Sequence, residues 1–281
     1  MRVAIQGITG SFHHQAAEKF FKGNLQLVEC KTFRQVFDSV NSGQADYGVV
    51  AVENSLHGPL NPVYRLLASQ GLNVSGEVRL KINLCLASTK YQSIESLNSS
   101  STTVYSHTAA LSQCEEWLNN NLPKAHRIEA ADTAEAVRQI VAQHDKNHLA
   151  IASEHAINLH KATILAEAIN DDPDNYTRFF ILAKQPEIIE NADRTSIIIT
   201  ESDSDRAGSL YDALGVFKQH GINLSKLDSH PLPGRIRRYA FYIDFDASNQ
   251  SPQGESALKE LAKQPWNIQV LGTYRAAADT D

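Results

Sequence analysis

The sequence predicts an α/β chain in which a large two-lobed part is followed by a small βαββαβ module. Three observations predict it. From residue 2 to about 185, short apolar runs alternate with segments of helical spacing, the pattern of strands feeding helices. A polar, proline-containing stretch, QPEIIENADR, interrupts that pattern, and beyond it strands of alternating residues surround two amphipathic helices. The 281 residues are 42% hydrophobic and 21% charged, which supplies apolar material for more than one core.

RVAIQ opens as a strand, and SFHHQAAEKFF is a helix with Ala16, Ala17, Phe20 and Phe21 on one side. LVEC is a strand. TFRQVFDSVNSG carries Phe33, Val36, Phe37 and Val40 at helical spacing, capped by Thr32 and stopped near Gly43. YGVVAV returns as a buried strand, a helix follows around Leu60 to Gln70, and NVSGEVRLKINLCLAS reads as extended chain leading out of the first lobe. The middle third repeats the theme with TTVYSH, the helix TAALSQCEEWLNN, RIEA, the helix DTAEAVRQIVAQ, LAIAS and a short helix. TILAEAI and RFFILAK, separated by NDDPDNYT, close the large part by crossing back to the first lobe. The large part is expected over 1–186, one lobe holding roughly 1–88 with 163–186 and the other 89–162. Small-molecule sites favour the cleft that such a plan creates.

The small module is expected over 194–276. TSIIIT is a strand, and RAGSLYDALGVFKQH is a helix with Leu210, Leu214 and Phe217 inward and Gly221 at its end. NLSKLDSHP and YAFYIDF are strands, ESALKELAKQ is a helix and NIQVLGTY a last strand, which is the order of a ferredoxin-like unit.

A net charge of −6 and the lack of a basic run argue against a nucleic-acid partner. MRVAIQGITGSF lacks the features of a secretory signal, and no apolar run is long enough to span a membrane, so a soluble, cytoplasmic chain is expected. Cys30, Cys85 and Cys114 are too few and too widely spaced for a disulfide framework or a metal knuckle. They read as reduced thiols.

Segments of several kinds could carry chemistry. GITGSFHH lies between a strand and a helix, where glycines admit a ligand to the backbone and helix-start N–H groups favour an anion, although a plain tight turn reads equally well. It matches neither nucleotide-binding glycine pattern. Glu53, Asn54 and Ser55, with Gly58, follow the buried run YGVVAV at the strand end where α/β proteins bind ligands; a simple turn is the alternative. Tyr105, Ser106 and His107 follow another strand in the same way. Asn175, Tyr176, Thr177, Arg178 and Phe179 place a hydroxyl beside a fork-shaped cation suited to carboxylates, unless the arginine pairs with Asp171, Asp172 or Asp174. His13 and His14 with Glu18 suggest a metal only weakly, since no further ligand stands at structured spacing, and no metal is expected.

Taken in order, GITGSFHHQAA, GVVAVENSLHG, VYSHTAALSQC and INDDPDNYTRF resemble the motifs of the prephenate dehydratase family over nearly the whole chain. Residues 195–275 resemble the ACT domain fused to these enzymes. The family's usual Gly-Ala-Leu stands here as Gly208, Ser209 and Leu210, and its usual Glu-Ser-Arg-Pro as Asp228, Ser229, His230 and Pro231. Ile8 replaces a common proline.

The resemblance implies a two-lobed fold like that of periplasmic binding proteins, and conversion of prephenate to phenylpyruvate with loss of water and carbon dioxide and no cofactor. It implies that Thr177 faces the leaving hydroxyl and that Arg178 and the amides near Ser11 hold carboxylates. Asn54, Ser106 and Gln113 would orient the substrate, with Ser55, Tyr105, His107 and Phe179 beside it and Glu53 in a supporting, hydrogen-bonding role. It also implies L-phenylalanine as effector at Gly208–Leu210 and Asp228–Pro231 between subunits of a homodimer or homotetramer. Arogenate, the aminated analogue, is a rival substrate, and a non-enzymatic amino-acid or keto-acid sensor is a rival of another class.

Overall fold

Strands and helices alternate as the periodicity predicts. The computed structural model describes residues 1–202, 206–232, 234 and 238–278. The first run is β1 (Arg2–Gln6), α1 (Phe12–Phe21), β2 (Gln26–Cys30), α2 (Phe33–Asn41), β3 (Tyr47–Asn54), the short β4 (Gly58–Pro59), α3 (Asn61–Gln70) and β5 (Asn73–Lys81). The second is β6 (Cys85–Ser88), α4 (Ile94–Leu97), β7 (Thr103–Ser106), α5 (Thr108–Gln113), α6 (Glu115–Asn121), β8 (His126–Glu129), α7 (Thr133–Gln143), β9 (His148–Ala152), α8 (Glu154–Leu159) and β10 (Thr163–Ala166). β11 (Tyr176–Ala183) precedes a third run of β12 (Arg194–Glu201), α9 (Ser209–Gln219), β13 (Leu224–Pro231), β14 (Tyr239–Phe245), α10 (Pro252–Leu261) and β15 (Trp266–Tyr274).

The strands form three sheets ordered β2-β1-β3-β11-β5, with β4 on β3, then β10-β6-β9-β7-β8, and β13-β14-β12-β15. In the first sheet β1 pairs parallel with β2 and β3, and in the second β7 pairs parallel with β8 and β9. Helices start where side-chain oxygens meet their free N–H groups: Ser11 accepts from His14, Thr32 from Gln35, Asp132 from Glu135 and Ser153 from Ala156.

The expected division of the lobes shifts, because β6 and β10 pair with one another in the second sheet. The chain therefore crosses between sheets just before Cys85 and again after Ala166, not at 88 and 163. The expected single helix over TAALSQCEEWLNN is two. Cys114 leaves helical geometry at φ −121 and ψ 20, and the Asp171 carboxylate accepts from the N–H groups of Glu116 and Trp117, each at 2.9 Å, capping the new start. Phe20 is exposed and Phe21 rests on Tyr47, so the inner face of α1 is His13, His14, Ala16 and Ala17. Leu210 and Leu214 are half-buried, and α9 turns Ala213, Val216 and Phe217 inward.

By compactness the chain forms two units, one of Met1–Leu60 with Val78–Phe179, the other of Asn61–Glu77 with the described residues of 180–278. The first contains the cavity described below. In the second, Tyr64 of α3 packs against Tyr242 and His230, and a Cβ at Gly272 would lie 2.0 Å from the carbonyl oxygen of Val74, so only glycine fits there. Arg194 bridges buried Glu77 and Asp246, each at 3.1 Å. No described helix is long and apolar enough to cross a membrane.

Candidate active site

Within the first unit a cavity of about 400 Å³ draws Ser11, Phe12 and His13 from the start of α1, Phe33 from α2, Ala51 and Asn54 from β3, and Thr177 and Phe179 from β11. The second sheet adds His107 and Gln113 from around α5, and Asp132 and Thr133 from the start of α7. The β-strand period of two sets this roster: Thr177 and Phe179 face one way, and Arg178 between them faces the other.

Asn54 organises the hydrogen bonds at this end of the cavity. Its Oδ1 accepts from the N–H groups of Leu56 and His57, both at 3.0 Å, which fixes the orientation of the amide. Its Nδ2 then donates to Asn175 Oδ1 at 2.7 Å, Thr177 Oγ1 at 3.0 Å and the Tyr176 carbonyl at 3.2 Å. Because Thr177 Oγ1 accepts from Asn54, its own hydrogen is left to point elsewhere. Asn175 is fully buried, and its Nδ2 has no hydrogen-bond partner among the described residues.

The structure brings Ser11, Asn54, His107, Gln113, Thr177 and Phe179 to the cavity, and keeps other predicted residues out of it. Arg178, expected to hold a carboxylate, is buried on the far face of β11 with Nη1 4.0 Å from Glu53 Oε2. Glu53 is a carboxylate partner that the sequence reading, which weighed Asp171, Asp172 and Asp174 as the alternative, did not name. Ser106, expected to orient the substrate, is fully buried and donates to the Ile151 carbonyl at 2.6 Å, locking β7 to β9. Tyr105 sits in the core of the second sheet, edge-on to His148. Ser55 donates to the Asp174 carbonyl and accepts from the Tyr176 N–H, stitching the end of β3 to the start of β11.

His57, Asp132, Thr133 and Phe33 also line the cavity, where sequence reading named no role for them, and so do Phe12 and His13, which fall within the GITGSFHH segment that it singled out only as a whole. The Gly-x-x-Gly turn pointed to the start of α1 in general, yet the partner that fixes His13 is the Ala51 N–H, far away in sequence. Asp132 shows itself locally only as a helix cap. Burial raises its carboxyl pKa, against the lowering effect of backbone N–H groups of Glu135, Ala134 and Ile8.

His14, Glu18 and His155 bring potential ligand atoms within 4.8 Å of one another. The Gly10 N–H donates to His14 Nδ1 at 3.0 Å, so the neutral ring carries its proton on Nε2, 3.3 Å from Glu18 Oε1. A metal-binding imidazole needs the reverse, a bare nitrogen toward the ion and its other N–H given to an acceptor. The donor set suits a hydrogen-bonded pair and not an ion.

In the second unit, Gly208 holds φ at +85 ahead of α9, leading into Ser209 and Leu210. His230 at the end of β13 is 3.1 Å from Asp228 and packed between Tyr64 and Tyr242, while Ser229 and Pro231 are exposed.

A family profile described as prephenate dehydratase matches residues 3–187. The bifunctional chorismate mutase/prephenate dehydratase of Aquifex aeolicus is 39% identical over 99% of this chain and 74% of its own length. Arogenate dehydratase 2 of Petunia hybrida is 36% identical over 98% of this chain and 71% of its own. Among solved structures, a prephenate dehydratase from Arthrobacter aurescens in complex with L-Phe superposes with a TM-score of 0.86 at 24% identity, covering 98% of this chain and 90% of that one. That likeness concerns the fold. The profile and the identity over nearly the full length decide the lineage: this chain belongs to the prephenate dehydratase family.

Proposed function

We propose that the cavity binds prephenate and converts it to phenylpyruvate, a decarboxylating dehydration in phenylalanine synthesis. The bond between the ring and its carboxylate breaks, the electron pair enters the ring, and the ring hydroxyl is expelled. One proton turns that hydroxide into water as carbon dioxide departs. Aromatisation drives the reaction, so the protein has to orient a dianion and offer a donor at the departing oxygen.

The hydrogen left free on Thr177 carries this reading. Asn54 holds Oγ1 in place, so the hydroxyl meets the leaving oxygen as a preorganised donor or relay; threonine is too weak an acid to act otherwise. First-turn amides of α1, after Ser11, hold a substrate carboxylate. Phe33 and Phe179 pack on the ring, and Gln113 and His107 orient it from the second sheet. Ser106 and Ser55 act through the backbone they fix, and Arg178 with Glu53 supports the strand ends that carry Asn54 and Thr177. The chemistry needs no metal or organic cofactor.

The test is phenylpyruvate formation from prephenate by chelator-treated protein, which should proceed. A folded chain that binds prephenate without product overturns the reading in favour of a sensor.

One observation favours a second substrate. Asp132 lines the cavity, its carboxylate accepting from the Glu135 N–H at the start of α7, and no lysine or arginine stands among the cavity's described lining residues. An ammonium group suits that carboxyl, and arogenate carries one. Comparing kcat/KM for the two compounds, with Asp132→Asn as the control that keeps the helix cap, separates them.

For regulation we place L-phenylalanine between paired ACT-type modules, near Gly208–Leu210 and Asp228–Pro231, in a homodimer or homotetramer in the cytoplasm. Exposed Ser229 and the turn at Gly208 support that placement, as the three free, buried thiols support a reducing compartment. Inhibition requires that the effector bind the less active state more tightly. Activity unaltered at saturating phenylalanine removes the idea.

A further inference from the structure

His13 lies in the first turn of α1 and is 8% exposed. The Ala51 N–H donates to its Nε2 at 3.1 Å. A ring nitrogen that accepts a hydrogen bond carries no proton, so in the neutral imidazole the proton sits on Nδ1. The ring is held edge-on to Phe179, with centroids 5.1 Å apart, and tilted toward Phe33 at 5.8 Å, and all three side chains line the cavity. No described residue accepts a hydrogen bond from Nδ1. Burial takes the pKa of His13 down to about 3, so the donor stays neutral at working pH.

We propose that His13 donates its Nδ1–H to the ring carboxylate of the substrate, the group that leaves as carbon dioxide. This rests on the dehydratase reading above. The ring carboxylate loses its charge in the reaction, whereas the side-chain carboxylate keeps it. A cation on the departing group would favour the bound substrate over the transition state, in which the charge has begun to move into the ring. A single neutral donor among aromatic rings orients the group without that cost. The spacing also fits. Thr177 and Phe179 are separated by about 6.6 Å along β11, and His13 stands against Phe179. The two donors thus address opposite ends of a six-membered ring, the hydroxyl end at Thr177 and the carboxylate end at His13.

Two substitutions divide the ring's functions. Glutamine places an oxygen near the position of Nε2, so His13→Gln can accept from Ala51 while lacking a donor at Nδ1. Asparagine places an amide N–H near Nδ1, so His13→Asn retains the donor and gives up the bond to Ala51. We expect His13→Gln to keep the wild-type melting temperature and lose about 10- to 100-fold in kcat/KM for prephenate, the range for a hydrogen bond to a charged group. Its inhibition by phenylpyruvate, which lacks the ring carboxylate, should be unchanged. His13→Asn should melt earlier but turn over faster than His13→Gln. Wild-type kinetics in His13→Gln, or equal weakening of prephenate and phenylpyruvate, overturns the proposal, as does a folded His13→Asn no faster than His13→Gln. A folded wild-type chain that makes no phenylpyruvate overturns instead the reading on which the proposal rests.

Discussion

The two sheets contribute to the cavity in different ways. On the first sheet, Asn54 uses both ends of its amide on protein neighbours, Thr177 accepts from it, and His13 is fixed by the backbone of Ala51. On the second, His107 is exposed and Gln113 half-buried. One side is bound into place by partners far away in sequence before any ligand arrives; on the other, His107 and Asp132 are held by contacts within their own helix starts, to the N–H groups of Ala109 and Glu135. Groups that act in the transition state gain from being preorganised, whereas groups that only grip the substrate do not need to be.

Thr177→Ala should break this contrast most severely, lowering kcat by about 10²–10³, the range for loss of one preorganised donor, with little change in KM. Thr177→Ser, which keeps the hydroxyl, should recover most of the rate. Turnover unaffected by the alanine would remove Thr177 from the chemistry. Asn54→Ala should come next, with a fall in kcat and a loss of about 1–3 kcal/mol in stability, because the buried oxygen of Asn175 loses its donor. Urea titration alongside the assay checks both.

Acid should act chiefly on the first sheet. His13 has its folded pKa lowered to about 3 from 6.5, so the unfolded chain binds the extra proton first. The stability due to this group is therefore full above 6.5 and is lost as pH falls from there toward 3. Urea midpoints measured down that range should fall more steeply for wild type than for His13→Gln, and identical slopes would contradict the assignment. Gln113→Ala should have the smallest effect, a severalfold rise in KM with kcat and melting temperature near wild type. A large loss of kcat there would erase the difference between the two sides.

What the sequence made legible follows the range of the interaction. Strands, caps and the βαββαβ order depend on neighbouring residues, and Thr32 caps α2 as its position suggests. The break at Cys114 depends on Asp171, and the burial of His13 on Ala51, partners that no local pattern could supply. Arg178 is a different case. Strand alternation alone puts it opposite Thr177, and the motif's appeal as a hydroxyl beside a cation obscured that geometry.

The position of β11 between β3 and β5 governs how the protein comes off the ribosome. β5 ends at Lys81 and its neighbour begins at Tyr176, and every strand of the second sheet is made in that interval. A nascent chain can therefore close the second sheet while the first stands open, with β3 and β5 lacking their shared partner, an aggregation-prone edge for chaperones to cover. Asn54 emerges early and waits for Thr177. The pair on which the proposed chemistry rests is therefore completed by the strand that seals the sheet, and a chain released before β11 has neither.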